Sequence, residues 1–210
     1  MNINSLRKEY KRSVLNRKSV DNNPIRQFEI WIDEAVKSEI PEPTAMSLST
    51  INANGFPQSR IVLLKFVDEN GFVFFTNYKS RKAKGLENNP AAALLFFWPE
   101  LERQVRIEGF AAKTSQEFSE KYFHSRPLQS RIGAWASEQS SEIPHRKYLE
   151  ERFESFKEKF GYAPPLPDFW GGYRLNPVKI EFWQGRENRL HDRILYEKEN
   201  GTWTIKRLAP

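Results

Sequence analysis

Apolar and polar positions along the chain change period several times, and each change marks an element. From Pro24 to Ile40 the apolar residues Ile25, Phe28, Ile32, Ala35 and Val36 recur at helical spacing, with Asn23 as cap and Pro24 in the first turn. Pro41-Glu42-Pro43 ends this amphipathic helix. A strand-rich block follows. Ala45 to Ala53 turns at Asn54-Gly55 into Ser59 to Val67, and Asp68 to Gly71 turns into Phe72 to Thr76. Ser80 is placed to cap a short helix from Arg81 to Asn88, closed by Asn89-Pro90. Ala91 to Trp98 and Gln104 to Ala112 read as two more strands, and such repeated hairpins predict an antiparallel barrel. Helical patterns take over at Ser115 to Phe123 and Pro144 to Phe160. A Pro-rich linker from Ala163 to Asp168 leads to strands near Val178 to Trp183, Arg189 to Glu197 and Trp203 to Leu208. Because strands flank the helices in sequence, the pattern predicts one mainly β, α+β barrel domain over residues 23–210 with helical insertions. A flexible or weakly helical basic segment over 1–22 precedes it.

Composition narrows what this fold can do. With 210 residues, 39% apolar and 14% aromatic, a sizeable core is available. The longest apolar run, Ala91 to Trp98, suits a buried strand and is too short to span a bilayer, and the N-terminus has no stretch resembling a signal peptide. Cysteine is absent, which excludes disulfides, thiol chemistry and Cys-containing metal sites, and His124, His145 and His191 lack metal-ligand spacing. A cytoplasmic, metal-free protein is expected. The net charge of +6 and pI near 9.4 fit either a nucleic-acid partner or a small anionic ligand. Much of the excess lies in Arg7, Lys8, Lys11, Arg12, Arg17, Lys18 and Arg26, a run that equally reads as a solvated tail. No RRM, helix-turn-helix or zinc-finger signature supports nucleic acid.

Several segments carry candidate chemistry. In Arg189-Leu190-His191-Asp192-Arg193, the cationic positions alternate; in a strand they would share one face and form an anion site, or else the polar face of an edge strand. Ser80-Arg81-Lys82 opens a helix, where free backbone N–H groups and two cations suit phosphate, although a capped surface helix explains it too. Ser59 to Lys65 puts Arg60 and Lys65 at either end of an apolar strand. Their parity differs, so they serve one pocket only if the strand bends or the pocket spans two subunits. Gln104, Arg106 and Glu108 share a strand face, where an amide can meet a heteroaromatic edge or simply face water. The stretches Tyr122 to Ser130 and Gly133 to Ser141 are rich in hydroxyls and amides. No Ser-His-Asp order or paired carboxylates suggest hydrolysis.

Taken together and in this order, Trp183-Gln184-Gly185, Arg189-Leu190-His191-Asp192-Arg193, Ser59 to Lys65, Ser80-Arg81-Lys82 and the C-terminal Arg207-Leu208-Ala209-Pro210 resemble the pyridoxine (pyridoxamine) 5′-phosphate oxidase family over nearly the whole chain. The resemblance implies an FMN-binding split barrel and a homodimer with FMN at the subunit interface. It implies oxidation of pyridoxamine 5′-phosphate and pyridoxine 5′-phosphate to pyridoxal 5′-phosphate, with O2 as acceptor and H2O2 as by-product. Arg60 to Lys65 (including Ile61, Val62, Leu63 and Leu64), Phe75, Thr76, Arg81, Lys82, Gln104, Gln139, Ser140, Trp183 and Arg193 would hold FMN. Lys65, Tyr122, Arg126 and Ser130 would take the substrate phosphate. Arg189, Leu190 and His191 would lie over the pyridine ring, with Arg189 and His191 the catalytic candidates. Arg7-Lys8-Glu9-Tyr10 would approach the substrate as a lid. On this reading a dimer-spanning pocket reconciles Arg60 with Lys65. A related split-barrel flavin oxidase acting on another small heterocycle, such as a phenazine precursor, is the nearest alternative, and a basic nucleic-acid-binding protein the more distant one.

Overall fold

A computed structural model describes residues 9–210; Arg7 and Lys8 lie outside the described residues. Helix α1 (Pro24–Lys37) is capped as expected, the Asn23 side chain accepting from the backbone N–H groups of Ile25 and Arg26. The first hairpin pairs β1 (Ala45–Ile51) with β2 (Pro57–Leu63). The single strand expected from Ser59 to Val67 is broken at Leu64-Lys65. There the chain turns, Leu64 N–H donating to Thr44 and Lys65 N–H to Val73, before resuming as β3 (Phe66–Asp68) against β4 (Gly71–Asn77). Helix α2 (Arg81–Asn88) precedes β5 (Ala91–Trp98) and β6 (Arg103–Lys113). Helices α3 (Gln116–Ser125), α4 (Leu128–Ala136) and α5 (Arg146–Phe160) follow, then β7 (Trp170–Gln184), β8 (Asp192–Glu199) and β9 (Thr202–Leu208).

All strand pairs are antiparallel, in the order β2-β1-β5-β6-β7-β4-β3, with β8 on β7 and β9 on β8. Strand β7 organises the sheet. One edge pairs with β6 along most of its length; the other is shared, its first part with β4 and its last part with β8. A register shift between Glu108 and Gly109, opposite Pro177, bends this long ladder. Gly109 is required there, because a Cβ would sit 2.1 Å from the Asn176 carbonyl oxygen. The result is the antiparallel barrel with helical insertions that the hairpin pattern predicted.

The apolar face of α1 closes the barrel. Phe28, fully buried, meets Phe72 at 4.9 Å and Phe96 at 5.0 Å between ring centroids, and Trp31 meets Phe182 at 5.1 Å. Each such buried aromatic contributes roughly 1.5–3 kcal/mol. Residues 9–22 differ from the loose or weakly helical segment expected. They contain no helix and are strapped across the sheet. Leu15 and Val20 enter the common core, Leu15 N–H donates to Asp192, Arg12 N–H to Glu102, and the Tyr196 hydroxyl to the Asp21 carbonyl. Among the described residues no helix is long and apolar enough to cross a membrane.

Candidate active site

A cavity of about 710 Å³ opens between β2, β4 and helices α2 to α4. Arg60 reaches it from edge strand β2, with its guanidinium donating to the Leu48 carbonyl at 3.1 Å and the Thr50 hydroxyl at 2.8 Å. Lys65 lines the same space because the chain breaks at Leu64-Lys65. The bend alone therefore brings Arg60 and Lys65 together, and a second subunit is not needed for that. Lys82, in the first turn of α2, donates to Gln139 Oε1 at 2.9 Å and Thr76 Oγ1 at 3.1 Å, and Thr76 in turn donates to Gln139 at 3.1 Å. Burial, and then the nearby Arg60 charge, push the Lys82 ammonium down to about 8.

An aromatic stack also lines the cavity. Phe75 lies on Tyr122 at 4.0 Å and on Trp170 at 5.3 Å, and the Arg126 guanidinium sits over Trp170 at 4.7 Å. Among the described residues the buried Arg126 Nη1 has no hydrogen-bond partner, and burial lowers the Arg126 pKa. Ser130 lines the cavity one helical turn further on. Among the described residues no Asp or Glu lines it. Desolvated cations, neutral donors and an orphaned N–H with no carboxylate among them are groups whose chemistry suits an anion.

Three predicted residues lie elsewhere. Leu64 turns its side chain into the core, since the break that frees Lys65 reverses Leu64. Arg81 is exposed on α2 and off the cavity wall, because successive helical residues diverge by about 100°. Ser140, at φ 74°, is exposed beside Gln139 and is likewise off the wall. Conversely, Asn77 and Trp170 line the cavity and were not singled out by pattern. The one available signal was Trp170 abutting Gly171-Gly172, two positions where a Cβ would collide with Tyr78 and Thr114.

A second patch gathers the remaining candidates. Strand register sets Gln104 opposite Trp183 and Trp183 opposite Arg193, so the three side chains form one row across the outward faces of β6, β7 and β8. Phe97, half exposed, extends the row on β5. Beside it Trp183 meets His191 at 4.6 Å and Tyr10 at 5.7 Å. The Tyr10 ring lies over Gly185, where a Cβ would approach it to 2.7 Å. Glu9 is exposed and pairs with Lys11.

The alternating Arg189, His191 and Arg193 do not share a strand face. Residues Glu187–Arg189 form a 3₁₀ turn, with Asn188 at φ 56° and Arg189 at φ 62°, and β8 begins only at Asp192. Arg189 and Leu190 are thereby exposed, while His191 is held by the Arg186 backbone N–H donating to its Nδ1 at 3.1 Å. Burial and the Arg189 charge lower the His191 pKa, which keeps the ring neutral near pH 7 with its proton on Nε2.

Residues 32–160 match the family model described as pyridoxamine 5′-phosphate oxidase, and residues 170–210 match the pyridoxine 5′-phosphate oxidase C-terminal dimerisation region. The chain is 56% identical over 209 residues to a pyridoxine/pyridoxamine 5′-phosphate oxidase of Ralstonia pickettii, covering 99% of each chain. It is likewise 56% identical over 208 residues to one of Burkholderia thailandensis, covering 98% of this chain and 97% of the relative. Among solved structures it is similar to PhzG from Burkholderia lata in complex with tetrahydrophenazine-1-carboxylic acid, at TM-score 0.89 and 30% identity, covering 94% of this chain and 98% of that one. An FMN-binding protein of Nostoc punctiforme related to pyridoxamine 5′-phosphate oxidase shares the fold at TM-score 0.71 and 19% identity, over 89% of this chain and 98% of that one. With two family models spanning residues 32–160 and 170–210 and relatives 56% identical over the full length, the chain belongs to the pyridoxamine 5′-phosphate oxidase family.

Proposed function

We propose that the protein oxidises pyridoxamine 5′-phosphate and pyridoxine 5′-phosphate to pyridoxal 5′-phosphate, with O2 as the final acceptor and H2O2 as by-product. The observation that carries this reading is a cavity lined by Arg60, Lys65, Lys82 and Arg126 and, among the described residues, by no carboxylate. Arg60 and Lys82, with Thr76 and Gln139, would hold the FMN phosphate; Lys65, Arg126, Tyr122 and Ser130 would hold that of the substrate. The donor set fits FMN, since the Lys82 ammonium and the Arg60 guanidinium are bonded only to neutral groups and repel each other until an anion separates them. When bound, FMN supplies the two-electron oxidation, which no side chain here can perform.

The chain assembles as a homodimer on this reading. Gln104, Trp183 and Arg193 lie in a row apart from the cavity wall, and the exposed Phe97 and Phe110 give their sheet face an apolar surface for a second copy. The row of one subunit would complete the flavin site of the other. Tyr10 and Trp183 would enclose the ring, Arg189 would orient or polarise the reacting end of the substrate, and neutral His191 would offer its Nε2 proton beside it. Glu9 and Tyr10, at the head of the strap, would reach the substrate.

The likeness to PhzG supports a second reading, a phosphate-free tricyclic substrate. The cationic wall of Lys65 and Arg126 favours the phosphorylated one. Purified holoenzyme assayed with pyridoxamine 5′-phosphate, pyridoxamine and a tetrahydrophenazine carboxylic acid decides between them. Aldehyde formation should be fastest with pyridoxamine 5′-phosphate. Comparable turnover of unphosphorylated pyridoxamine, or faster oxidation of the tricycle, refutes the proposal.

A further inference from the structure

Glu181 is one of the few acidic side chains almost wholly withdrawn from water, at 9% side-chain exposure. It stands two positions before Trp183, on the same face of β7. Its carboxylate takes Arg193 in a fork, with Nε donating to Oε1 at 2.8 Å and Nη2 to Oε2 at 3.0 Å. Arg193 Nη1 donates to the Ala209 carbonyl at 2.8 Å, and Arg106 Nη1 approaches Glu181 Oε2 from β6 at 3.5 Å. A guanidinium clasped along one edge and tied at a third nitrogen cannot rotate, yet two N–H donors remain for another partner.

We infer that Glu181 is a positioning residue: it fixes the aim of Arg193 toward the flavin and offsets the Arg193 charge, so that Arg193 acts there as a hydrogen-bond donor more than as a net cation. This rests on the placement of Arg193 at the flavin given above. A plain strand-to-strand ion pair would hold β7 to β8 without affecting the flavin. The charge-offsetting role predicts more. Reduction adds negative charge to the flavin, so removing the Glu181 charge leaves Arg193 uncompensated and favours the reduced form.

The test compares Glu181→Gln, Glu181→Asp, Arg193→Ala and the Glu181→Gln/Arg193→Ala double variant, measuring the midpoint potential of bound FMN and its dissociation constant. Glu181→Gln should move the potential positive and weaken FMN roughly tenfold, the scale of one lost charge-assisted bond. Glu181→Asp, which keeps the charge on a shorter arm, should weaken FMN while leaving the potential near that of the parent. In the Arg193→Ala background Glu181→Gln should produce no further positive shift. An unchanged potential in Glu181→Gln alongside a shifted one in Arg193→Ala overturns this inference alone, and so does a positive shift that persists without Arg193. If Arg193→Ala changes neither potential nor affinity, the placement of Arg193 at the flavin fails first. Should the Gln variant not fold, Glu181→Asp decides: parental values of both quantities overturn the inference.

Discussion

Lys82 gives the sharpest quantitative test of the cavity. Its ammonium is pushed down from the ordinary lysine value to about 8, because it is desolvated and faces Arg60. A bound phosphate dianion would favour the charged form and return the pKa toward its ordinary value. Binding then takes up a proton wherever pH exceeds the free-site pKa. Affinity should be at full strength below about pH 8 and should fall as pH rises from there toward about 10.5. The weakening factor is 1 + 10^(pH − 8), which is close to unity at about pH 7 and roughly tenfold at about pH 9. The phosphate itself, with a second pKa near 6, stays dianionic throughout. Quenching of flavin fluorescence on titration into apoprotein reads the dissociation constant at each pH. Lys82→Arg keeps its charge across the window and should give a flat profile. A flat profile in the parent protein, or the same slope in Lys82→Arg, refutes the argument.

Arg126→Met keeps the stacking volume against Trp170 but removes the unpartnered N–H groups. It should lower kcat/KM for pyridoxamine 5′-phosphate by roughly tenfold to a hundredfold, through KM, with FMN retained; an unchanged KM removes Arg126 from the phosphate site. Arg189→Ala should lower kcat at least about tenfold without loss of bound flavin, and parental turnover would end its catalytic assignment. Phe97→Asp puts a charge into the row beside Gln104. By light scattering it should yield monomers that bind FMN poorly, and an intact dimer with full flavin occupancy would show that this sheet face is not the subunit contact.

How far the sequence disclosed this site depended on whether local pattern or strand register carried the information. Hairpin turns at Asn54-Gly55, the Asn23 cap and the apolar run Ala91 to Trp98 are local, and the elements formed where they pointed. The break at Leu64-Lys65 carries no turn residue and depends on backbone bonds to Thr44 and Val73, so an unbroken strand was the natural reading. Alternation misled at Arg189, His191 and Arg193, because two successive left-handed residues precede the strand and no side-chain pattern reports them. The row Gln104, Trp183 and Arg193 is invisible to any single-segment reading: it exists only through the registers of β6 on β7 and β7 on β8. Glu181 escaped for the same reason, since its partner lies across a strand boundary. The resemblance named many of the residues that line the cavity or form the row, but it could not tell which of them one chain brings together.

Charge pairing separates the two kinds of cation in this protein better than spacing does. Around β7 and β8 the arginines are matched: Arg193 with Glu181, Arg207 with Asp192 at 2.6 Å, and Arg186 with the same Asp192. Asp192 also accepts from Leu15 N–H, so these pairs fix the strap and the sheet edge in place. In the cavity the treatment is reversed. Arg60, Lys82 and Arg126 are desolvated with only neutral acceptors or an aromatic face, and each has its pKa lowered by burial. A fold that needed these side chains only for packing would gain by supplying a carboxylate or by replacing them with apolar groups. Their retention without counter-charge is therefore a cost that an anionic ligand removes. The same contrast holds for the acids: Glu181 lies beside the row of Gln104, Trp183 and Arg193, and among the described residues none lies in the cavity wall.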